Sequence, residues 1–155
     1  LGETPGSILV PELNPRTSNN FGGLELGGST GSVAAGNAVP MIRLESLALP
    51  ECRLMKIDVE GMETQVLRGA TGLLERFRPV LYVENDRAER SDEMIRYIDS
   101  LSYDMFWDNP PLYNPANFLK NPENVFGAIV SSNMLCIPRE SAVPVPRPRV
   151  EVPGK

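Results

Sequence analysis

The sequence predicts an α/β fold, a parallel sheet with helices packed on its faces. Three observations carry this expectation. Short apolar runs alternate along the chain with segments whose apolar residues recur at helical spacing. The runs are nearly continuous in apolar character, as in strands buried on both sides. The chain has 155 residues, 41% of them hydrophobic and 23% charged, enough for one domain with a core.

Residues 1–40 are rich in Gly, Pro, Asn and Ser, and within them only 7–10, Ser-Ile-Leu-Val, reads as a strand, closed by Pro11. Residues 14–37 hold no sustained period and read as loop, longer than compact domains usually carry. Order begins at Met41. The run 53–59 reads as a buried strand that ends in Asp58-Val59-Glu60-Gly61. Met62, Val66, Leu67, Ala70, Leu73, Leu74 and Phe77 then mark one face of a helix. Arg76 and Arg78 suit its negative end, and Pro79 stops it.

Residues 79–83 form a second buried strand ending at Glu84-Asn85. Ser91 is expected to cap the next helix, with Asp92 and Glu93 in its first turn and Met94, Ile95, Ile98 and Leu101 on its apolar face. A third strand spans 103–107, a Pro/Asn-rich loop 108–124, and a last strand 126–137, stopped by Pro138. Residues 141–155 contain four prolines and read as an extended tail, leaving 1–140 as the domain.

Composition removes several functions. There is no histidine, so no Ser-His-Asp or Cys-His mechanism and no His-ligated zinc. Fifteen basic against twenty acidic residues give a net charge of −5, which argues against a broad nucleic-acid surface. No apolar run approaches the ~18–20 residues that span a membrane. Cys52 and Cys136 lie in no metal-ligand spacing. Together with the absence of a leader they point to a reducing, cytoplasmic compartment.

In an open α/β sheet, ligands bind beyond the carboxyl ends of the strands. Two strands here end in acid, one at Asp58 and Glu60, the other at Glu84 followed by Asn85. Gly61 permits the sharp exit into the helix. Each acid alone has a plainer role open to it: Glu60 and Glu63 stabilise a helix start, and Asp58 bonds loop amides. Polar groups converging at one rim read as a site. Met55, Met62, Met94 and Met105 read as core filler, and Cys136 as a buried, inert thiol. Trp107 and Tyr113 flank a loop that suits either an acceptor lid or packing on the sheet.

Residues 54–63, Leu-Met-Lys-Ile-Asp-Val-Glu-Gly-Met-Glu, followed by Val66-Leu67-Arg68-Gly69-Ala70 and by 78–85, Arg-Pro-Val-Leu-Tyr-Val-Glu-Asn, closely resemble the FkbM family of S-adenosylmethionine-dependent methyltransferases. Asn20-Phe21-Gly22-Gly23, Arg43-Leu44-Glu45-Ser46-Leu47 and Asn133-Met134-Leu135-Cys136-Ile137-Pro138 resemble other parts of it, in order. The resemblance covers roughly residues 5–138. It implies a Rossmann-like class I methyltransferase sheet that takes S-adenosylmethionine and methylates a hydroxyl of a small molecule or sugar. It further implies catalytic roles for Asp58, Glu60 and Glu84 and substrate-binding roles for Asn20, Phe21 and Asn85. With no histidine present, a carboxylate is the natural base for the acceptor proton. The alternative is a divalent ion on Asp58, Glu84 and Asn85, oxygen ligands that suit magnesium or calcium, though three are a minimum set.

The acidic, glycine-rich stretch Leu24-Glu25-Leu26-Gly27-Gly28-Ser29-Thr30-Gly31 imitates a donor-binding loop. Ser29 interrupts it, no apolar strand precedes it, and too few residues separate it from Asp58 for two more strands, since one βαβ unit takes ~30. The chain is therefore expected to lack the first donor-binding strands, to start within a longer product, to be inactive alone, and to self-associate through exposed sheet. The rival reading is a non-catalytic interaction module of the same fold. A carboxylate-pair glycosidase is disfavoured, because its barrel hosts need ~250 residues.

Overall fold

The apolar run near the start of the chain does form a strand, and it finds a partner that the sequence hides. In the computed structural model, which describes residues 1–18, 23 and 36–155, β1 (Gly6–Pro11) pairs antiparallel with β2 (Gly36–Met41), Ile8 facing Val39. The described residues divide into two units, Leu1–Pro79 and Val80–Lys155.

In the first unit a 3-10 turn at Leu44–Leu47 precedes β3 (Leu54–Ile57). Met55 and Ile57 are buried while Leu54 is 64% exposed and Lys56 is exposed too. This strand is therefore one-faced, not buried on both sides as its composition suggested. The single helix expected after it is two helices, α1 (Glu63–Arg68) and α2 (Thr71–Phe77). The break has a physical cause. A Cβ on Gly69 would stand 2.0 Å from the Gly2 carbonyl oxygen, so the close backbone approach there demands glycine. The Ala70 amide tightens to Leu67 O at 3.0 Å, and the Thr71 hydroxyl donates to Arg68 O at 2.8 Å. Val66, Leu67, Ala70, Leu73 and Leu74 are buried all the same, so the helical spacing survives the break. Arg78, left-handed at φ 48°, caps α2 before Pro79.

The second unit contains β4 (Val80–Glu84), α3 (Ala88–Ser100), β5 (Tyr103–Asp108) and β6 (Asn133–Pro138). β6 lies between β4 and β5 and runs antiparallel to both. The expectation of a parallel sheet is corrected at β6, while β4 and β5 run in the same direction. β6 returns through a loop, not through a helical crossover, and such a return reverses direction. That loop closes on itself, with the Leu112 amide on Ile129 O at 3.0 Å and the Ser131 amide on Pro110 O at 2.9 Å. Residues 126–132 belong to it, so the last strand begins at Asn133.

Register builds the core of this unit. Leu81 faces Cys136, which faces Met105; Val83 faces Met134, which faces Trp107. Leu81, Val83, Met134 and Cys136 are wholly buried. α3 packs beside β5 and buries Met94, Ile95 and Ile98. It starts at Ala88, a turn earlier than a Ser91 cap would place it. Beyond β6 the chain crosses to the outer edge of β5. There the Trp107 amide donates to Pro148 O at 2.8 Å and the Val150 amide to Met105 O at 2.9 Å. Both cysteines are free thiols. Among the described residues no helix is long and apolar enough to cross a membrane.

Candidate functional site

β3 ends at Ile57, and the next four residues turn the chain into α1. Glu60 and Gly61 are both left-handed, at φ 52° and 92°. Glycine accepts this readily; a glutamate there carries strain. What holds the turn is Glu63, only 6% exposed. Its Oε1 accepts the Gly61 amide at 3.0 Å and the Val59 amide at 3.2 Å. Hydrogen bonds to an ionised carboxylate are among the stronger kind. Asp58 points outward and pairs with Lys56, Nζ to Oδ2 at 2.6 Å, both side chains partly exposed. Asp58 and Glu60 thus leave one turn, and that turn is fixed by a buried acid. Sequence reasoning had Glu63 as a helix-start acid only. The signal that could have found it is a glutamate just after Gly61, in reach of turn amides as the glutamate of a capping box is.

In the second unit, register sets Glu84 opposite Asn133 and Asn133 opposite Asp108, a polar row at one rim of the sheet. Glu84 is half-buried. Asn85 is 7% exposed, and most of its hydrogen-bonding capacity serves the protein. Its backbone amide donates to Ser132 O at 2.8 Å, and its Nδ2 donates to Ser91 Oγ at 3.0 Å and lies 3.3 Å from Met134 Sδ. Its Oδ1 has no partner. Ser91, expected as a cap, instead ties α3 to this rim. Asn133 is equally buried and donates to Ser131 Oγ at 2.9 Å.

Two further residues, Tyr82 and Arg147, complete the rim through Asp108, and sequence reasoning missed all three in this role. The Tyr82 hydroxyl donates to Asp108 Oδ2 at 2.9 Å, and Arg147 Nε lies 3.0 Å from Asp108 Oδ1. Burial, and then the neighbouring Asp108 carboxylate, push the Tyr82 phenol above its ordinary range. The available signal was parity, since Tyr82 and Glu84 are two apart on one strand and share a face.

Asn20 and Phe21, and the imitation donor loop at 27–31, lie outside the described residues. Among the described residues no glycine-rich turn follows a strand, so none is assigned to holding S-adenosylmethionine. Asp58, Glu60 and Glu84 offer hard oxygens of the kind that bind magnesium or calcium. As carboxylates they can also accept a proton from an acceptor hydroxyl.

The family model described as Methyltransferase FkbM domain matches residues 8–105. The match begins in β1, runs through the Asp58–Gly61 turn and the end of β4, and stops in β5. No curated protein and no solved structure matches the chain. The family model covers well over half of the 155 residues, and the chain belongs to the FkbM methyltransferase family.

Proposed function

We propose that the protein is an S-adenosylmethionine-dependent methyltransferase that acts on a hydroxyl of a small molecule or sugar, built on a Rossmann-like class I sheet and working in the cytoplasm. The single observation behind this reading is that the family match runs through the turn that Glu63 holds rigid. S-adenosylmethionine supplies an electrophilic methyl group when bound. What this chain's residues do is orient the acceptor oxygen and take its proton. Asp58 and Glu60, presented by the fixed turn, and Glu84, at the end of β4, are the proposed proton acceptors. Rigid presentation matters because alignment of the reacting oxygen accounts for much of the rate in such transfers. Asn20 and Phe21 are proposed acceptor contacts. Asn85 serves the acceptor by holding Ser132 and Ser91 beside Glu84.

The test is calorimetric titration with S-adenosylmethionine, with methyl transfer to a panel of hydroxyl acceptors, on this chain and on the product of the whole reading frame that encodes it. The expected result is donor binding by at least the product of the whole reading frame. Asp58→Ala should leave donor affinity intact and lower transfer by roughly 10²–10⁴-fold, the usual weight of a general base. Failure of both products to bind donor would overturn the enzyme reading in favour of a non-catalytic module.

A further inference from the structure

The outer edge of β5 is covered by the chain's own residues 147–155, and the chemistry of that cover is specific. The backbone of 148–150 adds a short antiparallel ladder to the edge, with Phe106 facing Arg149. Val150, 5% exposed, is the apolar anchor. Around it the pairs are all basic-to-acidic: Arg147 with Asp108, Arg149 with Asp104, and Lys155 with Asp99. Arg96 of α3 adds a bond to Pro153 O at 3.3 Å.

Two features separate the seat from the strand that fills it. Arg139, which precedes the tail, also bridges Asp99 at 2.6 Å and Asp104 at 3.2 Å. Asp99 and Asp104 therefore keep a partner when the tail leaves, and Asp108 keeps the Tyr82 hydroxyl. The connection 142–146 contains Pro144 and Pro146 and no helix or strand, and prolines take no part in holding it as donors. An open sheet edge is a template for any matching strand.

From this we propose that the β5 edge is a docking site for an extended basic strand, and that its occupant in trans is residues 147–155 of a second copy. Exchange of the strand between two copies preserves every pairing named above, which is how swapped elements form dimers at little cost. Edge pairing gives affinity; Asp108 and Asp104 select for cations two apart on the strand, and Asp99 of α3 for one at its end.

The decisive experiment uses two variants of the 155-residue chain. Asp104→Arg reverses the seat and keeps the tail; Arg149→Asp reverses the tail and keeps the seat. Each alone sets like charges against each other. Mixed, each tail meets a seat of opposite charge. Light scattering is expected to give monomer mass for each variant and dimer mass for the mixture. A mixture that stays monomeric overturns the proposal. Should Asp104→Arg fail to fold, a labelled peptide of residues 143–155 is titrated into the wild type and into Arg149→Asp. The peptide should bind the variant at least tenfold more tightly, because the wild-type tail competes from within the same chain. It should also weaken as salt shortens the screening length. Equal binding to the two proteins, or none, overturns it as well.

Discussion

Glu63 and Gly61 are joined by a 3.0 Å hydrogen bond from the Gly61 amide to the Glu63 carboxylate, which also accepts the Val59 amide. Through this contact a helix residue sets the shape of the turn before its own helix. Glu63→Ala leaves two amides without their acceptor in a buried place and is expected to lower stability by about 1–3 kcal/mol. Glu63→Gln keeps a carbonyl at the same reach and should lose less. Chemical denaturation of both variants checks this, and equal losses would show that the contact does not hold the turn.

The two thiols differ in access. Cys136 is wholly buried in β6, and burial drives its thiol far above the ordinary range; Cys52 is half-buried and raised less severely, again chiefly by burial. The thiolate is the reactive form. Alkylation of the native protein should therefore give a single slow label at Cys52, with Cys136 modified only on unfolding. Mass spectrometry after timed labelling reads this out.

Asp99 is held below the usual carboxylate range, first by its hydrogen bond from Lys155 and also by Arg139. A carboxyl group whose folded pKa is depressed contributes stability above its unfolded pKa, about 3.9, and loses it as pH falls through the folded value. Melting temperatures of wild type and Asp99→Asn should thus differ near pH 6 and converge once the pH falls below the depressed folded value. A gap that persists into acid would mean that Asp99 stabilises the fold by some route other than its charge.

Ala48 ends the 3-10 turn in a left-handed conformation, φ 49°, and is exposed. A left-handed alanine costs about 1–2 kcal/mol, and the entropic penalty of glycine is roughly half of that. Ala48→Gly is expected to raise stability by about 0.5–1 kcal/mol in a denaturant melt. A loss instead would put the strain elsewhere.

How much of this was legible follows from what each feature depends on. The buried faces of α1, α2 and α3 were readable because spacing alone defines them: Leu67, Leu74 and Ile98 are wholly buried. The acidic ends after β3 and β4 were readable for the same local reason. β2 was not, since Gly-Asn-Ala-Val-Pro-Met carries little strand preference and forms against Ile8 and Val10. The direction of β6 was not, because the apolar pattern of a strand is the same read up or down. The break between α1 and α2 depends on Gly2, distant in sequence, lying against Gly69. Asn85 looked like a free polar residue at a strand end; only the fold shows that Ser132 and Ser91 occupy it.

The left-handed pair Glu60-Gly61 has a consequence for the mutational landscape of this protein. Backbone geometry at position 60 filters replacements before chemistry does. Asparagine, aspartate and glycine fit φ 52°, whereas valine, isoleucine and threonine do not. A saturation library at this position should sort by backbone tolerance when read for folding and, if the proposed role of Glu60 holds, by acidity when read for methyl transfer. Few residues satisfy both filters. The turn would then be slow to diversify under any selection that keeps an acid at position 60.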